Sequence, residues 1–145
     1  MSASHVPRAT SYDPRLLKIV LRFSGVATLL GFGAVLLPVD WMAAIHEAIG
    51  LGEFPRTAVV DYLTRASAAL YGFHGALVLL IARDPVRFRP IVTYAATMNI
   101  VFGLMLIAID LHAGMPWFWT LVEGPLIVAV GLLVAFLNRR TPRTR

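Results

Sequence analysis

Eight side chains in this sequence could do chemistry, and all of them lie in or beside long apolar runs: Asp61, Arg65, Tyr71, His74, Asn99, Asp110, His112 and Glu123. Asp61 and Arg65 stand four residues apart at the head of VVDYLTRASAALYGFHGALVLLIARDP, residues 59–85, so on a helix they are neighbours on one face. Ala68, Gly72 and Ala76 continue that face as a row of small residues, which lets another helix approach closely. Asn99 and Asp110 are eleven residues apart, nearly three turns, and share a face with Gly103 between them. Glu123 leads a comparable row, Gly124, Ile127 and Gly131.

An arginine and three acids embedded in apolar sequence have two uses. In the first, Arg65 is a structural lock: a guanidinium can hold two carboxylates at once and fix the register of several helices. In the second, Asp61, Arg65, Asp110 and Glu123, with Asn99 deeper, bind a polar ligand head, an ion or a proton. Three acids against one arginine leave surplus negative charge, and that imbalance keeps the second use open. His74 is nine residues beyond Arg65, on roughly the opposite face, with Tyr71 on its own side. A buried neutral histidine bonded to a neighbouring backbone or hydroxyl group is the expectation there. His112 is turned about 200° from Asp110 on a helix of 3.6 residues per turn, so it caps a helix end or meets solvent.

Other chemistries lack their parts. A haem between two histidines needs a partner for His74 at matching depth, and His46 and His112 lie toward the other end. No Glu-x-x-His pattern marks a carboxylate metal site. There is no phosphate loop, nucleophile elbow or zincin motif, and Gly31-Phe32-Gly33 falls inside an apolar run. The absence of cysteine excludes disulfides, thiolate metal sites and thiol nucleophiles. No catalytic residue, metal or cofactor is therefore expected.

The elements that position these residues follow from hydropathy. Hydrophobic residues make up 58% of the 145 and charged residues 14%, with a mean hydropathy of +0.74. A soluble domain carries about 25% charged residues. Crossing a bilayer takes about 20 apolar residues in a helix, and four segments qualify, at about 16–37, 57–82, 90–111 and 117–137. Pro38 ends the first. Asp40 is placed to cap a short helix, WMAAIHEAI, which Gly50 and Gly52 end; it is too short to span and suits the membrane interface, with Trp41, Ile45 and Ile49 on its apolar side. Asp84-Pro85 and His112-Ala113-Gly114-Met115-Pro116 make the remaining turns. The expected architecture is all-α: an integral membrane four-helix bundle with a short interfacial helix between spans 1 and 2. A disordered cytoplasmic N-terminus (1–15) precedes the membrane domain (16–138), and a basic cytoplasmic tail (139–145) follows it.

Charge sets direction. Arg8, Arg15, Lys18, Arg22, Arg83, Arg87, Arg89, Arg139, Arg140, Arg143 and Arg145 all fall on one side of a four-span chain; only Arg56 and Arg65 belong to the other half. By the positive-inside rule the basic side, with both termini, is cytoplasmic, and the protein sits in the cell (inner) membrane. Trp117 and Trp119 then mark the outer interface, where Asp40, Glu47, Glu53, Asp61, Asp110 and Glu123 also gather. The first span is too long, and lacks a small-x-small site before Asp40, for a cleaved signal peptide. The net charge of +5 does not mean nucleic acid, because the basic residues form no face with interleaved aromatics.

The order of features resembles small bacterial four-span membrane proteins of the DoxX-like type, including related families of unknown function. The marks are a first span ended by Pro38 and a short amphipathic piece, Arg65 followed by Tyr71-Gly72, Asn99 to Gly103, Asp110 with Gly114-Met115-Pro116, and Glu123-Gly124. They cover roughly residues 16–137. The resemblance implies a four-helix membrane bundle with polar residues near one mouth. DoxX itself is associated with quinone or thiol redox chemistry, and a thiol route through this chain's own side chains is excluded.

Function is expected to be non-enzymatic: an accessory or ligand-binding subunit with the polar cluster at the outer mouth. Alternatives are a membrane oxidoreductase component or enzyme acting on a lipophilic, quinone-like substrate, and an oligomeric transporter. Expected partners are the lipid bilayer, a partner membrane protein or further copies of the chain, and a lipophilic small molecule.

Overall fold

Backbone N–H and C=O groups placed in lipid have no partner but each other, so long apolar runs close into helices. The computed structural model describes residues 14–141, and these are all-α. Four helices are long and apolar enough to cross a membrane. The first is α1 (Pro14–Leu30), continued by a 3-10 segment, Gly31–Val35; the others are α3 (Ala58–Ile81), α4 (Arg89–Ala113) and α5 (Trp117–Arg140). The ten-residue α2 (Val39–Ala48) lies between the first two spans. The protein is a multi-pass membrane protein built as a four-helix bundle. The expectations for residues 1–13 and 142–145 fall outside the described residues.

Three boundaries differ from the sequence reading. The first span leaves α-geometry at Gly31, seven residues before Pro38, because Gly31 and Gly33 weaken the α-helix and a tighter turn closes its end. α2 starts from Pro38 with no side-chain cap; Asp40 sits in its first turn and pairs with Arg56 across the following loop. Arg139 and Arg140 belong to the last turn of α5, not to a tail. The turns themselves form where expected. Asp84 accepts Arg87 N–H through Oδ1 at 3.2 Å. Gly114, at φ 69°, ends α4 in the left-handed conformation that glycine adopts without strain.

The spans pack as two antiparallel pairs, α1 with α3 and α4 with α5, and α1 meets α5 between the pairs. Glycines set both close approaches. A Cβ added at Gly75 would stand 2.5 Å from Leu29 N and 2.7 Å from the Gly25 carbonyl oxygen. One added at Gly103 would stand 2.7 Å from the Gly124 carbonyl oxygen. The small-residue face of α3 thus runs Ala68, Gly72, Gly75; Ala76 is exposed. The buried core cluster is Leu17, Leu21, Val78, Ile81, Ala82, Val92, Ala96, Val134 and Leu137. Every one of these lies in the half of its span nearest the arginine-rich loop and the described chain ends. The bundle is pinned at this basic end, and the seam between α3 and α4 is sparse.

Candidate functional site

At the opposite, acidic end the expected single cluster of Asp61, Arg65, Asp110 and Glu123 is divided between the two helix pairs. Arg65 does not bridge to Asp110 or Glu123. Its Nε donates to Asp61 Oδ1 at 2.9 Å, Nη1 donates to the Val35 carbonyl at 2.5 Å, and Nη2 to the Leu37 carbonyl at 3.1 Å. Those carbonyls are the open end of the first span, whose last C=O groups lack intrahelical partners. Arg65 is a cap for a neighbouring helix, and its charge complements that helix's negative end. The reason is geometric: the glycine contacts hold α3 against α1, so the α3 face bearing Asp61 and Arg65 meets α1 rather than α4 or α5. A shallow depression beside this pair, of about 200 Å³, is lined by Val39, Phe54, Arg56, Thr57, Ala58 and Asp61.

The other two acids belong to α4 and α5. Asp110 is buried, 5% exposed, on the α4 face that carries Ala96 and Gly103 against α5. Its Oδ2 is buried without a hydrogen-bond partner. Glu123 Oε2 accepts the Trp119 indole N–H at 2.7 Å. Added Cβ atoms would bring Gly103 onto Val128, Gly124 onto Ile107 and Gly131 onto Ile100. That antiparallel register puts Asp110 level with Trp119 and Thr120, and Glu123 about one turn deeper. The two carboxyls lie in each other's electrostatic field.

Tyr71 reaches across from α3. Its ring meets Phe102 of α4 edge-on at 6.5 Å, and it lies in the field of Glu123. Asn99, expected to bond across to α3, makes no side-chain hydrogen bond among the described residues. His112 is exposed in the last turn of α4.

His74 is not the buried, bonded histidine the sequence implied. It is half-buried and makes no hydrogen bond among the described residues. Where α3 and α4 part, it lines a groove of about 240 Å³ with Leu77, Val78, Ile81, Ile91, Tyr94, Ala95 and Met98. Tyr94 adds a second hydrogen-bonding group to this otherwise apolar surface, and its hydroxyl is also unbonded.

Sequence reasoning missed a second arginine cap, at the basic end. Arg89 donates to the Thr141 carbonyl at 2.8 Å and to the Arg139 carbonyl at 3.3 Å, closing the end of α5. Asn138, buried, donates from Nδ2 to Thr93 Oγ1 at 2.9 Å and to the Arg89 carbonyl at 3.3 Å. The signal was available: Asn138 is a polar residue on the same α5 face as Val134 and Gly131.

The chain is similar to the apolipoprotein N-acyltransferase of Prochlorococcus marinus (strain MIT 9313), with 32% identity over 121 residues, or 77% of the chain. It spans only 24% of that protein's length. No protein-family model matches the chain, and no solved structure matches it.

Proposed function

We propose that this chain is a non-enzymatic, DoxX-like accessory or ligand-binding protein of the inner membrane, with both termini cytoplasmic, and that its ligand is a lipophilic small molecule carrying a hydrogen-bonding group. The observation that carries this reading is the α3–α4 groove. It opens to the hydrocarbon region, is walled mainly by aliphatic side chains, and presents His74 and Tyr94 without internal partners. A hydrogen-bonding side chain facing hydrocarbon is costly until something bonds to it. A lipophilic molecule with a carbonyl or hydroxyl supplies that bond and fills the space between the diverging helices. Orientation rests on the basic end, where Arg83, Arg87, Arg89, Arg139 and Arg140 gather.

The same groove supports the redox reading, in which the occupant is quinone-like and is turned over rather than held. The acyltransferase likeness adds no activity here, since the chain spans 24% of that protein.

Native mass spectrometry of protein extracted in mild detergent tests the proposal. The expected result is a small-molecule adduct on wild-type protein that is lost in His74→Leu and weakened in Tyr94→Phe, with folded protein recovered at wild-type level. Recovery of the bare chain from native membranes refutes it. The absorption spectrum of the adduct separates a quinone from a lipid.

A further inference from the structure

Several polar side chains in and beside the spans are internally satisfied. Thr28, Thr93, Thr97 and Thr141 each donate their hydroxyl to the carbonyl four residues earlier. Among the described residues, Oδ2 of Asp110 is the fully buried side-chain oxygen left without a partner. About one turn deeper, on α5, stands a second acid, Glu123, one of whose oxygens already accepts the Trp119 indole. No ion pair described in the structure reaches either carboxyl: Arg65 is spent on Asp61 and the end of the first span, and Arg56 on Asp40.

The groups facing this pair are few. α3 brings Tyr71, and α4 itself ends in the exposed His112. The charged residues of α1, Arg15, Lys18 and Arg22, lie at the basic end. Two ionised carboxylates would therefore sit together inside an apolar helix pair with no cation to balance them, an arrangement that low dielectric makes very costly. A proton is the ligand that fits. It needs no cavity, it cancels one charge, and it gives the unpartnered Asp110 oxygen a hydrogen to share.

We propose that Asp110 and Glu123 form a proton-binding site at the acidic end of the bundle, holding one exchangeable proton between two carboxyls. The step is an acid–base one: the pair takes one proton from water and its charge goes from −2 to −1, with no electron transferred. Asp110 is three residues from the end of α4, about 5 Å along the helix, so the path to water is short. The site is distinct from the α3–α4 groove and does not depend on a ligand there.

Infrared spectroscopy of the full chain in phosphatidylcholine vesicles tests the proposal at neutral pH. A protonated carboxyl gives a C=O stretching band that ionised carboxylates lack, and the band shifts in heavy water. Wild-type protein is expected to show this band. Asp110→Asn should abolish it, Glu123→Gln should abolish or displace it, and Asp40→Asn should leave it unchanged. Absence of the band in the wild type overturns the proposal. A band that Glu123→Gln leaves unmoved overturns the sharing. If both variants fail to fold, hydrophobic carbodiimide labelling of the wild type decides, since the reagent captures protonated carboxyls within membranes. An adduct mapped to Asp110 or Glu123 supports the site, and labelling confined to other acids overturns it.

Discussion

Replacing Arg65 separates two accounts of the same residue. If it were a salt-bridge hub among three helices, its contribution would run through the acids. The structure instead gives it one acid and two backbone carbonyls. Hydrogen bonds to charged groups contribute about 1.5–3 kcal/mol each. The arginine side chain is 30% exposed, so the low end applies, and the two carbonyl bonds together contribute about 3 kcal/mol. The Asp61 contact is an i,i+4 pair between partly exposed side chains, 30% and 37%; such a pair contributes about 0.3–0.5 kcal/mol. Arg65→Ala is therefore expected to cost about 3 kcal/mol, and Asp61→Asn about 0.5 kcal/mol. Arg65→Lys should fall between them, because a compact ammonium on a shorter reach cannot serve both carbonyls.

Reversible unfolding in mixed micelles, followed by far-ultraviolet circular dichroism, measures these differences. A double-mutant cycle sharpens the comparison. Arg65 makes no contact with Asp110 or Glu123, so Arg65→Ala combined with Asp110→Asn should be additive within about 0.5 kcal/mol. Two results would refute the reasoning. One is an Asp61→Asn cost equal to that of Arg65→Ala. The other is a coupling above about 1 kcal/mol between Arg65 and Asp110, which would restore the three-helix lock.

Three further outcomes follow from the geometry. Gly75→Val should destabilise the α1–α3 pair by several kcal/mol, on the order of 3 or more, because its Cβ would meet backbone, whereas Gly33→Ala, with nothing within 4 Å, should cost almost nothing in the same unfolding assay. Asn138→Leu should cost about 1–3 kcal/mol by leaving Thr93 and the Arg89 carbonyl short of a donor, and should speed hydrogen exchange at the last turn of α5. Because the chain has no cysteine, single cysteines report topology without background: Glu53→Cys should react with an impermeant maleimide in intact cells, and Val86→Cys only after permeabilisation.

The spans were legible because hydrophobic length is a one-dimensional property: an apolar run of this length has few alternatives to a membrane helix. The turns were legible for a similar reason, since Asp84-Pro85 and Gly114 act on their own neighbours. The partners of Arg65 were not. Charge pairing can be guessed from side-chain types, but Val35 and Leu37 contribute carbonyl groups, which every residue has and no sequence pattern marks. The division of the acids was hidden in the same way. Helical periodicity placed Asp61 with Arg65, and the short turn between α4 and α5 placed Asp110 within about a turn of Glu123. It could not say that α3 would turn its polar face to α1. That choice is made at Gly25 and Gly75, where the absence of two side chains lets the backbones meet. His74 shows the converse error. Its distance from the ends of the run implied burial, but depth in the membrane is not burial in the protein, and the α3–α4 seam is open beside it.

The two arginine caps explain why the bundle tolerates its own shape. Arg65 closes the first span at the acidic end, and Arg89 closes α5 at the basic end. Each is supplied by the partner within its own helix pair, so each pair is completed without help from the other. Close glycine contacts do the same along the interiors of the pairs. What joins one pair to the other is chiefly the apolar cluster at the basic end, where nothing polar must be matched. Two self-sufficient pairs leave the α3–α4 seam free to hold a groove beside that cluster, walled in part by its Val78 and Ile81, without breaking a hydrogen bond. They also leave Asp110 and Glu123 inside a single pair, where a cation held by the other pair cannot reach them. The open seam and the unneutralised acids thus share one cause: polar satisfaction is arranged within pairs, and contact between pairs is left to hydrocarbon.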